Sequence, residues 1–442
     1  MHAQPVSIVG AGLAGSLLAL LLARRGYAVT LYERRADPRI AAAEEGRSIN
    51  LVLAARGIRA LERAAVMAAI APLLLPMRGR MVHARSGEYA LQPYGQKDSE
   101  VIYSVGRAAL NLCLLNEATR HREVVVKFEQ LCMGAEADSN RLLLRDVASG
   151  VTYERKLTPT IATDGASSLL RASLVGSGLI RVREDSLEHE YKELTLPAHN
   201  GRHPLAADAL HIWPRGGFML IALPNTDHSF TATLFLPRSG AASFAELSTP
   251  ARIAGFFARE FADVVPLMPD LVDEFMRHPR GQLGTVHAAP WHVDGHVLLL
   301  GDAAHAIVPF HGQGMNAAFE DCLVFDDLLE DYDDWESLFD AFGQRRRPNA
   351  EAIAKMSLEN YVEMRATVLD PTFERHQALA LALERQFPER FIPRYSMVMF
   401  HPEIPYVEAL RRGSIQAAIV AAVDTEPGRA TALVNERLPP LS

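Results

Sequence analysis

Val6-Ser-Ile-Val-Gly-Ala-Gly-Leu-Ala-Gly15, followed by Leu31-Tyr-Glu-Arg34, decides how the first part of this 442-residue chain folds. The apolar run Val6 to Val9 suits a strand buried in a parallel sheet. The turn after it matches G-x-G-x-x-G at Gly10, Gly12 and Gly15. Residues 16–25 read as a helix with small and leucine side chains facing the sheet. Gly26 ends that helix, and residues 29–32 form the second strand of one βαβ unit. In such a unit the first glycine permits a tight turn. The second lets the backbone approach a pyrophosphate, and the third lets helix and strand pack closely. The N–H groups at the helix start then face the phosphates. Glu33 ends the second strand, where a carboxylate can accept hydrogen bonds from ribose hydroxyls. A lone hexapeptide is a weak sign, but strand, helix and carboxylate in register make a strong one. This much holds the ADP end of a dinucleotide and does not separate NAD from FAD.

A later segment separates them. It runs Val297-Leu-Leu-Leu-Gly-Asp-Ala-Ala-His305 and continues Pro309-Phe-His-Gly-Gln-Gly-Met-Asn316. Gly301-Asp302 ends a buried strand, and Asp302 can bond a ribityl hydroxyl; the alternative role is an N-cap for the residues after it. Gly312, Gly314 and the amides of Met315 and Asn316 open a helix whose positive end can face a flavin pyrimidine and stabilise anionic reduced flavin. The two segments together point to FAD and oxidation chemistry. His305 and His311 invite a metal reading, but no carboxylate-rich pattern accompanies them, so structural or ring-contact roles are expected and no metal.

Bulk properties agree with an enzyme of two or three domains. Hydrophobic residues make up 49% and charged residues 22%, and the net charge of −8 argues against a nucleic-acid surface. The basic run Arg345-Arg-Arg-Pro348 reads as a solvated helix end. Cys113, Cys132 and Cys322 lack metal-ligand spacing, so a reducing cytoplasm is expected. The apolar stretch 415–423 is too short for a bilayer of about 30 Å, and no transmembrane segment is expected.

The fold class expected is α/β: a Rossmann-type FAD-binding domain, interrupted by an antiparallel β-sheet substrate domain and followed by a C-terminal helical cap. Residues 110–121 read as helix and 124–128 as strand. Residues 142–146 and 151–156 form a hairpin pair, and 160–163 a strand. Residues 189–194, 211–214, 218–223 and 229–236 read as antiparallel strands, with Met219, Ile221 and Leu223 on one face by period-two alternation. Residues 250–260, 269–277 and nearly everything after Trp335 read as helical. The flavin domain is therefore discontinuous, over 1–75, 97–180 and 281–344. The sheet domain takes 76–96 and 181–280, and the helical domain 345–442.

These two segments, with Ala162-Thr-Asp-Gly-Ala-Ser-Ser168 and Arg171 between them, resemble the group A flavoprotein aromatic hydroxylases of the para-hydroxybenzoate hydroxylase fold. Ala162-Thr163 stands where that family often has Gly-Ala. Within the group the chain is similar, along nearly its whole length, to the branch that hydroxylates kynurenine. The carrying segments are Gly46-Arg-Ser-Ile-Asn-Leu51, Gly79-Arg-Met-Val-His83, Gln92-Pro-Tyr-Gly-Gln96, Tyr103-Ser-Val-Gly-Arg107, His189-Glu-Tyr-Lys-Glu-Leu194, His211-Ile-Trp-Pro-Arg215, Asn360-Tyr-Val-Glu-Met364 and Arg394-Tyr-Ser-Met-Val398. The C-terminal membrane anchor of the branch's eukaryotic members has no counterpart, which suits a bacterial-type enzyme.

The resemblance implies FAD-dependent, NADPH-consuming hydroxylation of L-kynurenine to 3-hydroxykynurenine with O2, through a flavin C4a-hydroperoxide. It implies a small-molecule aromatic amino acid as partner, admits a homodimer, and needs no side chain as acid, base or nucleophile. It assigns Gly10, Gly12, Leu13, Ala14, Gly15, Glu33, Arg34, Arg107, Asp164, Asp302, Gly312, Gly314, Met315 and Asn316 to FAD. It assigns Arg80, Tyr94, Asn360 and Tyr395 to the substrate's polar end, where Arg80 can form a bidentate pair with the carboxylate. Met219, Ile221, Leu223 and Phe235 form an apolar wall beside the aryl ring, for which core packing is the alternative. Pro309, Phe310 and His311 correspond to the loop between flavin and substrate. Rival readings are a related hydroxylase acting on another anthranilate-like or kynurenine-derived acid, and a non-catalytic flavin-bound redox sensor. A flavin-dependent halogenase shares the glycine motifs, but Trp213, Trp291 and Trp335 stand apart and supply no Trp-x-Trp-x-Ile-Pro stretch.

Overall fold

The computed structural model describes residues 4–40, 50–366 and 370–441; residues 46–49 of the segment Gly46-Arg-Ser-Ile-Asn-Leu51 lie outside the described residues. The chain divides into two compact units. One comprises residues 1–73, 105–186 and 284–354, the other residues 74–104, 187–283 and 355–442.

The first unit is built on a six-stranded sheet, in the order His292–Val293, Val297–Leu299, Thr160–Ala162, Val6–Val9, Val29–Tyr32 and Val124–Lys127. All pairings are parallel except that of the outermost His292–Val293. Every residue of Val6–Val9 is buried, which is why that strand carries no polar alternation beyond Ser7. The helix that follows, Leu13–Arg24, starts three residues before the sequence pattern places it. The glycine turn is itself the first helical turn, with the Ser16 amide donating to Gly12 O at 2.9 Å. The hairpin expected over 142–146 and 151–156 forms as Arg141–Asp146 and Thr152–Lys156, and a third antiparallel strand that the pattern did not show, Gln130–Glu136, pairs with it.

Arg345-Arg-Arg-Pro348 is not a solvated helix end. It lies inside the helix Trp335–Arg365, and Arg346 is buried, with 3% of its surface exposed. Successive residues on a helix point about 100° apart, so one arginine of the run faces inward while Arg345 and Arg347 stay exposed. Arg346 Nε lies 2.6 Å from Asp321 Oδ1, and its Nη1 lies 2.7 Å from Glu320 Oε2. Arg56 reaches Glu320 from the other side at 2.6 Å, and His305 Nε2 meets Asp321 Oδ2 at 2.6 Å.

The second unit is organised by a seven-stranded sheet in the order Gly281–Ala289, Arg181–Leu196, Phe230–Pro237, Met219–Pro224, Ala209–Pro214, Gly79–His83 and Tyr89–Pro93. One face holds Leu220, Ala222, Leu234, Leu236 and Trp213. These pack with Phe256, Phe257, Phe261 and Phe275 from helical segments into a single core. The register places Arg80 opposite Leu210, Ile212 opposite Ile221, and Met219 opposite Phe235. Directly opposed residues share a face, so Arg80, Met219, Ile221, Leu223 and Phe235 all lie on the side away from that core. After residue 370 come the helices Pro371–Gln386, Arg394–Phe400, Tyr406–Thr425 and Ala430–Arg437, with a small core of Leu383, Phe391, Ile419, Val420, Val423, Leu433, Val434 and Leu438. Among the described residues no helix is long and apolar enough to cross a membrane. The three cysteines are free thiols.

Burial by itself would raise the carboxyls of Asp321 and Glu320. The cations facing them outweigh it: His305 and Arg346 hold Asp321 below the usual carboxylate range, and Arg346 and Arg56 hold Glu320 there. Arg346→Met should therefore destabilise the protein by about 3–5 kcal/mol, because two buried carboxylates lose their shared cation. A depressed folded value contributes stability that is present above about pH 4 and is lost as the pH falls through it. Urea titrations should show the wild type losing stability below about pH 4, with a flatter profile for R346M over the same window.

Candidate functional site

In the first unit the glycine turn, the Asp164 turn and the Gly301 turn come together at the ends of adjacent strands. Gly10 has φ of +98°, and a Cβ there would lie 2.7 Å from Thr163 O. A Cβ on Gly15 would lie 2.0 Å from Gly10 O. Neither position admits another residue. A Cβ on Gly12, by contrast, would meet nothing within 4 Å. The turn is thus closed against the strands and open on the side where a phosphate can approach. Thr163 explains the departure from Gly-Ala: its Oγ1 lies 2.8 Å from Gly10 O and 3.0 Å from Val9 O and ties the two turns together.

Glu33 is buried at the end of its strand, where Oε2 accepts the Ala11 N–H at 2.9 Å. Its other oxygen accepts from Arg35 N and Arg35 Nε. Burial would raise this carboxyl, and the hydrogen bonds and charge of Arg35 with the Ala11 amide bring it below the usual range. It stays anionic, as a ribose acceptor must. Arg35, unassigned by the sequence reading, is the partner of Glu33, while Arg34 is exposed. Leu13 and Ala14 begin the helix. Arg107 is exposed at the first position of the helix Arg107–Thr119.

Asp164 sits beneath the turn with its Oδ1 buried and without a hydrogen-bond partner. Burial pushes its carboxyl up, against the bonds from Ser168 and the Leu170 amide. Arg171 is buried and donates to Ala303 O at 2.8 Å and to Ala166 O, so one guanidinium bridges the Asp164 and Asp302 turns. Asp302 is the first residue of the helical turn Asp302–His305, preceded by Gly301 rather than capping from outside. Asp321 accepts the Gly301 N–H at 3.1 Å as well as His305, and His305 stacks on Trp291 at 4.9 Å. His305 is therefore a structural ring. Among the described residues no group of three or more His, Cys, Asp or Glu is placed to hold a metal ion.

Pro309–His311 forms a single 3-10 turn with Phe310 and His311 buried, ending at left-handed Gly312. The helix Gly314–Leu328 then begins. The Asn316 side chain accepts from Ala54 N at 2.9 Å and donates to Val52 O and Gly312 O at 2.8 Å. That side chain holds the loop, while Gly314, Met315 and Asn316 offer backbone N–H groups of the first helical turn. FAD suits this set on the structure's own terms: an open glycine turn, an anionic Glu33, an unanswered buried oxygen on Asp164 and a free helix N-terminus.

The second unit carries a cavity with largely apolar walls and a few charged and phenolic side chains. Strands Gly79–His83 and Tyr89–Pro93 pair with Arg80 opposite Gln92, which puts Arg80, Gln92 and Tyr94 on one face. They line a cavity of about 420 Å3 together with Glu363, Phe373, His376, Phe391 and Tyr395. Arg80 is flanked by two rings, 5.2 Å from the centroid of Tyr395 and 5.9 Å from that of Tyr94. The two tyrosines stack at 5.3 Å. Burial raises the Tyr94 phenol to about 12 and also pushes the Tyr395 phenol well above the usual range, so both remain protonated. Burial alone would lower the Arg80 guanidinium; Glu363 together with Tyr395 and Tyr94 more than offsets it and keeps it cationic. Glu363 was missed by the sequence reading, although its spacing of three from Asn360 puts both on one side of a helix. Asn360, on the same helix as Glu363, is buried but does not line this cavity; its Nδ2 donates to Met364 Sδ at 3.3 Å. Met219, Leu223 and Phe235 are buried and Ile221 half-buried on the same sheet face as Arg80.

The sequence model of the FAD binding domain family matches residues 3–357. The kynurenine 3-monooxygenase of Stenotrophomonas maltophilia (strain K279a) is 48% identical over 423 residues, spanning 96% of this chain and 92% of the relative. That of Myxococcus xanthus (strain DK1622) is 44% identical over 444 residues, spanning 98% and 96%. Among solved structures, the tetrameric form of 2-methyl-3-hydroxypyridine-5-carboxylic acid oxygenase superposes with a TM-score of 0.66 at 19% identity, over 83% of this chain and 94% of the other. PqsL of Pseudomonas aeruginosa, in complex with 2-aminobenzoylacetate, does so with 0.65 at 21%, over 82% and 96%. At these identities the two structures speak for the fold alone. The sequence relatives, each matched almost end to end, speak for descent, and the chain belongs to the kynurenine 3-monooxygenase family of flavoproteins built on this FAD binding domain.

Proposed function

We propose that this protein catalyses the FAD-dependent hydroxylation of L-kynurenine to 3-hydroxykynurenine, consuming NADPH and O2. One oxygen atom enters the ring beside the aryl amine, and the other leaves as water. Family membership supports the reaction, and the observation that carries the substrate class is the buried Arg80 between Tyr94 and Tyr395. A guanidinium with two neutral phenol donors suits an amino-acid carboxylate.

FAD, when bound, supplies the oxygen-activating chemistry, drawing its electrons from NADPH. It would be held by the glycine turn at Gly10, Gly12 and Gly15 with Leu13 and Ala14, by Glu33 with Arg34 alongside, by Arg107, Asp164 and Asp302, and by Gly312, Gly314 and the amides of Met315 and Asn316. The chain's own work is positioning and exclusion of water. Arg80, Tyr94, Tyr395 and Asn360 would hold the polar end of the substrate. Met219, Ile221, Leu223 and Phe235 would supply the apolar surface for its ring, and Pro309, Phe310 and His311 the loop against it. The amine already activates the aromatic ring, so no side chain has to act as nucleophile. Three free thiols and the use of NADPH fit a cytoplasmic setting.

L-kynurenine should accelerate NADPH oxidation by the purified yellow protein and yield 3-hydroxykynurenine by chromatography. Hydrogen peroxide as the sole oxygen product would show that the substrate is another acid. Arg80→Ala should raise the dissociation constant for kynurenine by an amount worth about 2–5 kcal/mol, read by calorimetry. An unchanged constant would remove Arg80 from the site.

A further inference from the structure

Arg80 is already paired. Its Nη1 lies 3.1 Å from Glu363 Oε1, and both side chains line the same cavity, with 9% and 26% of their surfaces exposed. A ligand carboxylate that takes the guanidinium therefore shares it with Glu363, which holds it through Nη1. The other charged groups lining the cavity are engaged elsewhere: Arg394 with Glu359, and His376 with Asp424 at 3.2 Å. Among the described residues lining the cavity, no second cation is left to receive Glu363 when it is displaced.

A ligand with a carboxylate alone would crowd two anions around one guanidinium, or leave Glu363 without its cation in a half-buried place. An α-amino acid brings the missing cation on the carbon next to its carboxylate. The carboxylate can then take Arg80 while the ammonium takes Glu363. One internal pair and one zwitterion become two pairs, and the net charge of the cavity does not change. No covalent bond forms or breaks.

We propose that Glu363 is a specificity-determining residue: it exchanges its bond to Arg80 for the substrate's α-ammonium, and so selects zwitterionic α-amino acids over aryl oxo acids lacking the amine. The inference rests on the reading of Arg80 as the carboxylate partner. It adds the rule by which that site accepts or rejects an acid.

The test is calorimetric titration of the FAD-loaded enzyme with L-kynurenine and with 4-(2-aminophenyl)-4-oxobutanoate, the same acid without the α-amine. The wild type should prefer kynurenine by about 10- to 100-fold. Glu363→Gln should weaken kynurenine by about tenfold or more while the oxo acid binds as well or more tightly, since Arg80 has lost its internal competitor. Glu363→Asp, which keeps the charge, should keep the preference. Equal weakening of both acids in E363Q, or a wild type that does not distinguish them, overturns the proposal. Should E363Q fail to fold, the wild type and E363D decide: equal affinity for the two acids in either one overturns it. The proposed reaction fails separately. A wild type that prefers kynurenine but hydroxylates neither acid defeats the reaction and leaves the exchange standing. One that hydroxylates kynurenine while E363Q keeps the full preference defeats the exchange alone.

Discussion

A charge removed from water has to be met by an opposite charge at contact distance, and each compact unit of this chain is organised around that constraint. In the first unit the buried carboxylate of Asp321 gathers Arg346, His305 and the Gly301 amide. Those three partners come from a long helix, a short helical turn and a strand end, so one side chain sets the shape of the segment bearing Asp302. In the second unit the buried guanidinium of Arg80 gathers Glu363 and the faces of two tyrosines. There the cation's partners come from the end of the edge strand Tyr89–Pro93, the long helix and the helix Arg394–Phe400.

The sheet of the second unit shows how one register serves two ends. Alternation sends Leu220, Ala222, Leu234 and Leu236 into a phenylalanine-rich core. The residues between them, Met219, Ile221, Leu223 and Phe235, fall on the face that also bears Arg80. A shift of one residue in Gly79–His83 would turn Arg80 to the opposite face, and the same shift in Met219–Pro224 would bring Leu220 to the face that bears Arg80. Arg80 and the apolar residues beside it are therefore placed by the same set of pairings. Neither requires a loop, which keeps a binding geometry tighter than a mobile segment would.

Local signals were readable because their physics is local. Gly10 and Gly15 report a turn with no room for a side chain, and the overlap distances to Thr163 and Gly10 oxygens bear that out. Pro250 with Thr249 before it marks a helix start, and the helix begins there, with Thr249 accepting from Arg252 N. Arg346 defeated the same kind of reading. Three arginines and a proline look like a solvated end, and nothing nearby in sequence says that Glu320 and Asp321 stand across from the middle one. Glu363 was passed over for a related reason, since its partner lies 283 residues away in the chain. Arg35 was passed over because its pairing with Glu33 depends on which side of the strand end faces that carboxylate.

The amino-acid order by itself determined the βαβ turn, the alternation in strands of the seven-stranded sheet, the helical character of the last hundred residues and the family to which they point. Each of these follows from steric limits and burial periods acting over a few neighbouring residues. Only the tertiary structure decided which charges are buried and with what partner: Arg346 with Asp321, Arg171 between two turns, Arg80 with Glu363. A buried ion pair is a contact between distant parts of the chain, and its strength depends on distance and exposure, quantities that exist only once the chain has closed on itself.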